Sequence, residues 1–124
     1  MGRSTATFRE VGTIDLVLES RTEPGWGVLE VKGEVDLYTS PQLRDKVSEL
    51  IEQGQSRLVI DLTDVGFMDS SGLGVLVTAL KRARERDGAL ALVCPEGSVH
   101  KVLTITGLDR VFPIYGSVGE ATVS

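Results

Sequence analysis

Leu58-Val59-Ile60-Asp61-Leu62-Thr63-Asp64-Val65-Gly66-Phe67-Met68-Asp69-Ser70-Ser71-Gly72-Leu73-Gly74 contains a change of hydrophobic period that decides the fold. Leu58 to Leu62 is a short apolar run rich in branched side chains, the pattern of a strand covered on both faces, and it reads as the central strand. From Leu73 onward the apolar positions are Leu73, Leu76, Val77, Leu80 and Ala83, one side of a helix. Lys81, Arg82, Arg84 and Arg86 crowd the last turns of that helix, where the dipole favours cations, and Gly88 closes it. Thr63 to Gly74 therefore lies where the carboxyl end of a strand meets a helix N-terminus, the usual place for function in an open α/β sheet.

Working outward, Ala89 to Cys94 forms a further buried strand. Upstream, Thr39-Ser40-Pro41 offers a capping hydroxyl followed by proline at a first helical position, and Leu43, Val47, Leu50 and Ile51 give one apolar stripe that Gly54 ends. Before that helix, Ile14, Leu16 and Leu18 alternate with Asp15, Val17 and Glu19. Glu23-Pro24-Gly25 then turns the chain into Trp26 to Lys32, so a hairpin ending near Gly33 is expected. Downstream, Ser98 is placed to cap a helix carrying Val99, Val102, Leu103 and Thr106, with Gly107 as its stop. Pro113 marks Val111 to Tyr115 as an edge strand or a loop. Ser117-Val118-Gly119-Glu120 has capping-box spacing, but the sequence ends too soon after it for a helix that stands without docking. Met1 to Gly12 has no clear period and reads as a flexible N-terminus. The order β-β-α-β-α-β-α predicts a single α/β domain over residues 13–124, a mixed sheet of four to five strands with packed helices.

Size and charge narrow the function. A chain of 124 residues with 41% hydrophobic content fits one core. Its 13 Lys and Arg against 18 Asp and Glu give a net charge of −5, which disfavours direct binding to nucleic acid or anionic membranes. No run of about 18 apolar residues is present to span a bilayer, and a cytoplasmic location is expected. The single cysteine, Cys94, cannot form an internal disulfide and sits where buried structural thiols are common.

The chemistry of an enzyme is missing from the sequence. Ser70 lies in no Gly-x-Ser-x-Gly elbow, and the only imidazole, His100, falls on the third helix. Gly72-Leu73-Gly74 lacks the third glycine of a dinucleotide loop, and no glycine loop leads into Gly-Lys-Ser/Thr. A phosphoaspartate receiver could use Asp61, yet no acidic pair follows the first strand. No metal and no cofactor are expected. Asp69 or Ser70 can cap the second helix, and the glycines can serve close helix–sheet packing. A helix N-terminus also tolerates an anion, so a serine there can carry a reversible charge.

Phe67-Met68-Asp69-Ser70-Ser71-Gly72-Leu73-Gly74 resembles the signature of the STAS-domain anti-sigma factor antagonists, or anti-anti-sigma factors. Gly33-Glu34-Val35-Asp36 before a proline-capped helix is similar to the second signature of that family, and Thr106-Gly107-Leu108 through Phe112-Pro113-Ile114 to its C-terminal pattern. The resemblance covers roughly residues 13 to 117. It implies a bacterial regulator of transcription that binds an anti-sigma factor, itself a serine kinase, and so frees a sigma factor. It further implies that Ser70 is the phosphorylated residue, with Ser71 the competing acceptor, and that a metal-dependent serine phosphatase restores it. The implied partner-binding residues are Asp69, Ser71 and Gly72 at the helix N-terminus, with Asp36, which could instead orient the serine hydroxyl or be a solvated turn acid. The alternative within the same group is an unphosphorylated scaffold or adaptor in a transport or signalling complex. The short tail after Glu120 departs from longer members of the family.

Overall fold

A computed structural model describes residues 16–123. The expected flexible stretch 1–12, the first residues of the expected opening strand, Thr13 to Asp15, and Ser124 lie outside the described residues. In chain order the elements are β1 (Val17–Glu23), β2 (Trp26–Val35), α1 (Ser40–Glu52), β3 (Arg57–Met68), α2 (Ser70–Glu85), β4 (Ala89–Val93), α3 (Ser98–Ile105), a 3-10 turn (Leu108–Arg110), β5 (Ile114–Tyr115) and α4 (Val118–Thr122). The strands form one five-stranded sheet in the order β1-β2-β3-β4-β5. β1 and β2 are an antiparallel hairpin turned at Pro24-Gly25, and every later neighbour pairs in parallel across a helix.

Alternation along the central strands sends side chains to two cores. Leu58, Ile60 and Leu62 of β3, with Leu90 and Leu92 of β4, pack beneath α1, α2 and α3. Val59, Ala91 and Val93 point the other way, into a small second core with Val28, Ala121 and the flanking Trp26, Tyr115 and Val118. The C-terminal segment thus forms a helix because it docks. Ser117 accepts a hydrogen bond from the Glu120 N–H, and Ala121 is fully buried against the sheet. Five residues alone would not hold a helix in water, so tertiary contact decides the outcome.

Several boundaries differ from the sequence expectation. β2 runs on to Val35, past Gly33, and β3 runs to Met68, past Leu62, because the two strands stay paired through two register shifts. Those irregularities move the inward positions of β3 to Leu62, Val65 and Met68, a spacing of three that hides the strand pattern. Along α2 the buried stripe is Leu76, Ala79, Leu80 and Ala83; Leu73 is half-buried and Val77 faces solvent. Thr39 stands at the cap position of α1, but its hydroxyl donates to the Glu34 carbonyl at 2.7 Å instead of capping the helix. Ser98 is the first helical residue of α3 and its hydroxyl donates to the Gly66 carbonyl at 3.3 Å, while Gly97 occupies the cap. After α2, Asp87 takes the left-handed backbone conformation, and Gly88 is required because a Cβ there would lie 2.1 Å from the Ser56 carbonyl oxygen.

The docked α4 gives a direct test. Ala121→Asp would bury a carboxylate with no partner, so urea denaturation should show a loss of about 1–3 kcal/mol. An unchanged midpoint would mean that α4 does not cover Val59, Ala91 and Val93 in solution.

Candidate functional site

The carboxyl ends of β2 and β3 lie side by side, with Val35 paired to Met68. The Asp69 N–H donates to the Val35 carbonyl at 3.1 Å, and this bond ties the start of α2 to the start of the β2–α1 loop. The chain leaves β3 in extended backbone at Asp69 and turns into helix at Ser70. Asp69 Oδ1 accepts from the N–H groups of Ser71, at 2.8 Å, and Gly72, at 3.3 Å. The aspartate is therefore the helix cap, satisfying two of the donors that a first turn leaves open.

Ser70 follows the cap as the first helical residue. Its side chain is exposed and makes no hydrogen bond among the described residues. Ser71, the competing acceptor, is half-buried. The anion-favouring position at this helix end is already filled by Asp69, so a further negative group on Ser70 would gain from the dipole and lose by repulsion from the neighbouring carboxylate.

Gly72 and Gly74 differ in role. A Cβ on Gly72 would come within 2.7 Å of both Val35 Cγ1 and Met68 Cγ, so its absence lets α2 sit on the sheet. Gly74 is exposed, and nothing lies within 4 Å of the corresponding position. Close packing accounts for the first glycine only.

Asp36 begins the loop after β2. Its Oδ1 accepts from the backbone N–H of Tyr38 at 2.9 Å and of Thr39 at 3.0 Å, while its own N–H donates to Thr39 Oγ1 and its carbonyl accepts from Ser40. The carboxylate thus builds a turn, and no hydrogen bond joins it to Ser70 among the described residues. That turn holds out Leu37, 64% exposed, and Tyr38, 81% exposed, at the same end of the sheet as Phe67, 47% exposed. Sequence reading missed Leu37 and Tyr38 as surface residues, since an apolar residue is assigned to the core unless a turn is seen to project it.

The remaining candidates are placed elsewhere. Cys94 is buried in the main core, where desolvation, and secondarily the charge of Asp61, push its thiol pKa up. Asp61 accepts from the N–H and hydroxyl of Thr63. His100 is half-buried on α3. Among the described residues, no three His, Cys, Asp or Glu side chains group to hold a metal, and no helix is long and apolar enough to cross a membrane.

Residues 17–121 match the family model of the STAS domain. A relative from Listeria monocytogenes, an anti-sigma-B factor antagonist, is 42% identical over 94 residues, covering 73% of this chain and 79% of its own. This chain belongs to the STAS-domain anti-sigma factor antagonist family. Solved members share the fold: an anti-sigma factor antagonist from Mycobacterium paratuberculosis superposes with a TM-score of 0.81 at 28% identity, covering 87% of this chain and 92% of the other. The Bacillus cell fate determinant SpoIIAA, in its phosphorylated form, gives a TM-score of 0.65 at 27% identity, covering 86% and 96%. In this STAS domain the sheet end just described lies inside the matched region.

Two substitutions separate the roles of the glycines. Gly72→Ala should cost about 1–3 kcal/mol through overpacking against stiff Val35. Gly74→Ala should instead stabilise by about 0.5–1 kcal/mol, because an exposed helical glycine only loses entropy. Chemical denaturation of both checks the contrast, and equal effects would contradict it. For the turn, Asp36→Ala should lower stability by about 1 kcal/mol, whereas Asp36→Asn, which keeps an acceptor, should stay close to the parent. If Asn behaved like Ala, the charge and not the acceptor would hold the loop.

Proposed function

We propose that this chain is a cytoplasmic anti-sigma factor antagonist that binds an anti-sigma factor with serine-kinase activity, frees a sigma factor, and is switched off by phosphorylation of Ser70. A metal-dependent serine phosphatase would restore it. The observation that carries the reading is the placement of Ser70: exposed, unengaged, fixed just after the Asp69 cap, at the sheet end that projects Leu37, Tyr38 and Phe67. Three large apolar side chains exposed at the sheet end that carries a free hydroxyl suit a packed protein contact, since aromatic anchors dominate such interfaces. SpoIIAA, a related protein with a solved phosphorylated form, supports the same reading for this fold.

Phosphorylation acts here by position. The net charge moves from −5 to roughly −6.5 or −7, a modest global change. Locally, the phosphate adds a dianion beside the Asp69 carboxylate in a surface that must be dried on binding. Burying such a group without a partner costs several kcal/mol, and each 1.4 kcal/mol is a tenfold loss of affinity. Asp69 and Gly72 set the position of the serine, Asp36 sets the loop that flanks it, and the side chain of Ser71 is less accessible to a kinase. None of these residues forms a nucleophile–base pair, so the purified chain with ATP and magnesium alone should yield no phosphoserine.

Calorimetric titration against the anti-sigma partner, with thermal melts in parallel, tests the switch. Ser70→Asp should fold with stability within about 1 kcal/mol of the parent, because dipole gain and repulsion from Asp69 oppose each other. Its affinity should fall at least about tenfold. Ser70→Ala should bind and resist phosphorylation. Tight binding by Ser70→Asp, or loss of modification in Ser71→Ala but not in Ser70→Ala, would show that the residue or the mechanism is wrong.

A further inference from the structure

Beside the C-terminal half of α2, Val77, Leu80, Lys81, Arg84, Glu85 and Val111 line an open depression of about 450 Å³. Leu80 forms its floor at 5% exposure, while Val77 and Val111 remain 44% and 42% exposed. Both valines thus leave apolar surface in water that the chain's own core does not use. Two cations stand at this surface. Neighbouring Arg82 is paired with Glu52 at 3.3 Å, but Lys81 and Arg84 form no ion pair among the described residues. Exposed Arg110 precedes Val111 and is also without an ion pair among them. In a chain of net charge −5 the lining itself carries Lys81 and Arg84 against Glu85, a local excess of positive charge, while Arg110 beside it is balanced by exposed Asp109.

We infer that this depression is a protein-docking surface for an acidic amphipathic helix of a partner, seating an apolar side chain on Leu80 between Val77 and Val111 with carboxylates toward Lys81 and Arg84. Helix-in-groove recognition needs an apolar slot for anchors spaced three or four residues apart, and complementary charge fixes its register. The other occupants fit less well. A second copy using the same face would set cations against cations across a two-fold axis. An anionic lipid surface is disfavoured by the chain's net charge of −5. The surface is also separate from the Ser70 end. Lys81 lies eleven residues beyond Ser70 on one continuous helix, about 16 Å along its axis at 1.5 Å per residue. Docking here is therefore compatible with either state of the serine and does not rest on the switch reading.

The test is a methyl NMR titration of the full chain with a blocked synthetic helical peptide of Glu and Leu at amphipathic spacing, and with the same peptide carrying Lys for Glu. The acidic peptide should give saturable shifts at Val77, Leu80 and Val111, weakened by added salt, and the basic peptide none. K81E/R84E, with an unchanged spectrum elsewhere, should raise the acidic peptide's Kd about tenfold or more. Equal binding of both peptides, an unchanged Kd in that variant, or shifts centred on Leu37, Tyr38 and Phe67 would overturn the inference. Sedimentation showing self-association lost in K81E/R84E would assign the face to a second copy, and binding to phosphatidylglycerol vesicles without peptide shifts would assign it to lipid; either result would also overturn it.

Discussion

The hydrogen bond from the Asp69 N–H to the Val35 carbonyl joins the two halves of the candidate site. It is the last rung between β2 and the β3–α2 junction, and both neighbouring structures depend on it. On one side, Asp69 spends its carboxylate on the first turn of α2, so Ser70 leaves the sheet at a fixed point. On the other, Val35 leads directly into Asp36, whose own carboxylate folds the loop that carries Leu37 and Tyr38. Gly72 brings the helix down onto Val35 and Met68, the same pair of residues that ends the ladder. Oδ1 of each acid is thus occupied by backbone donors, while the Ser70 hydroxyl makes no hydrogen bond among the described residues.

This changes how the two acids of the motif are understood. Asp36 Oδ1 and Asp69 Oδ1 are both engaged within their own turns, so each acid has a local structural task. The surface at this sheet end includes exposed Leu37, Tyr38 and Phe67. Proteins that exchange partners use such anchors because each buries a large area at small entropic cost.

Much of the architecture was legible because the chain changes period cleanly. Leu58 to Leu62 and Ala89 to Cys94 read as buried strands, and the stripes of α1 and α2 read as helices, since local pattern and final environment agree there. The misread parts share a physical cause, namely partners distant in sequence. β3 beyond Leu62 looked like a loop because register shifts against β2 replaced alternation with steps of three. Thr39 looked like a cap, but the Glu34 carbonyl, five residues earlier, claims its hydroxyl. α4 looked too short, and only its burial on Val59, Ala91 and Val93 makes it a helix. In the candidate site the serines and Asp69 were visible as a motif, whereas the exposure of Leu37 and Tyr38 required the turn that Asp36 builds.

The edges of the sheet carry a further consequence. β5, at one border, has only two residues and follows Pro113, so it offers almost no free ladder to another chain. β1, at the other border, is longer but places Glu19, Arg21 and Glu23 along its length, and Arg21 pairs with Glu30 of β2. A strand arriving there would have to strip water from charged side chains before it could add to the sheet. Parallel sheets with crossover helices assemble slowly and expose such borders while they fold. Blunting both borders of the described sheet disfavours edge-to-edge pairing in the nascent and in the mature chain.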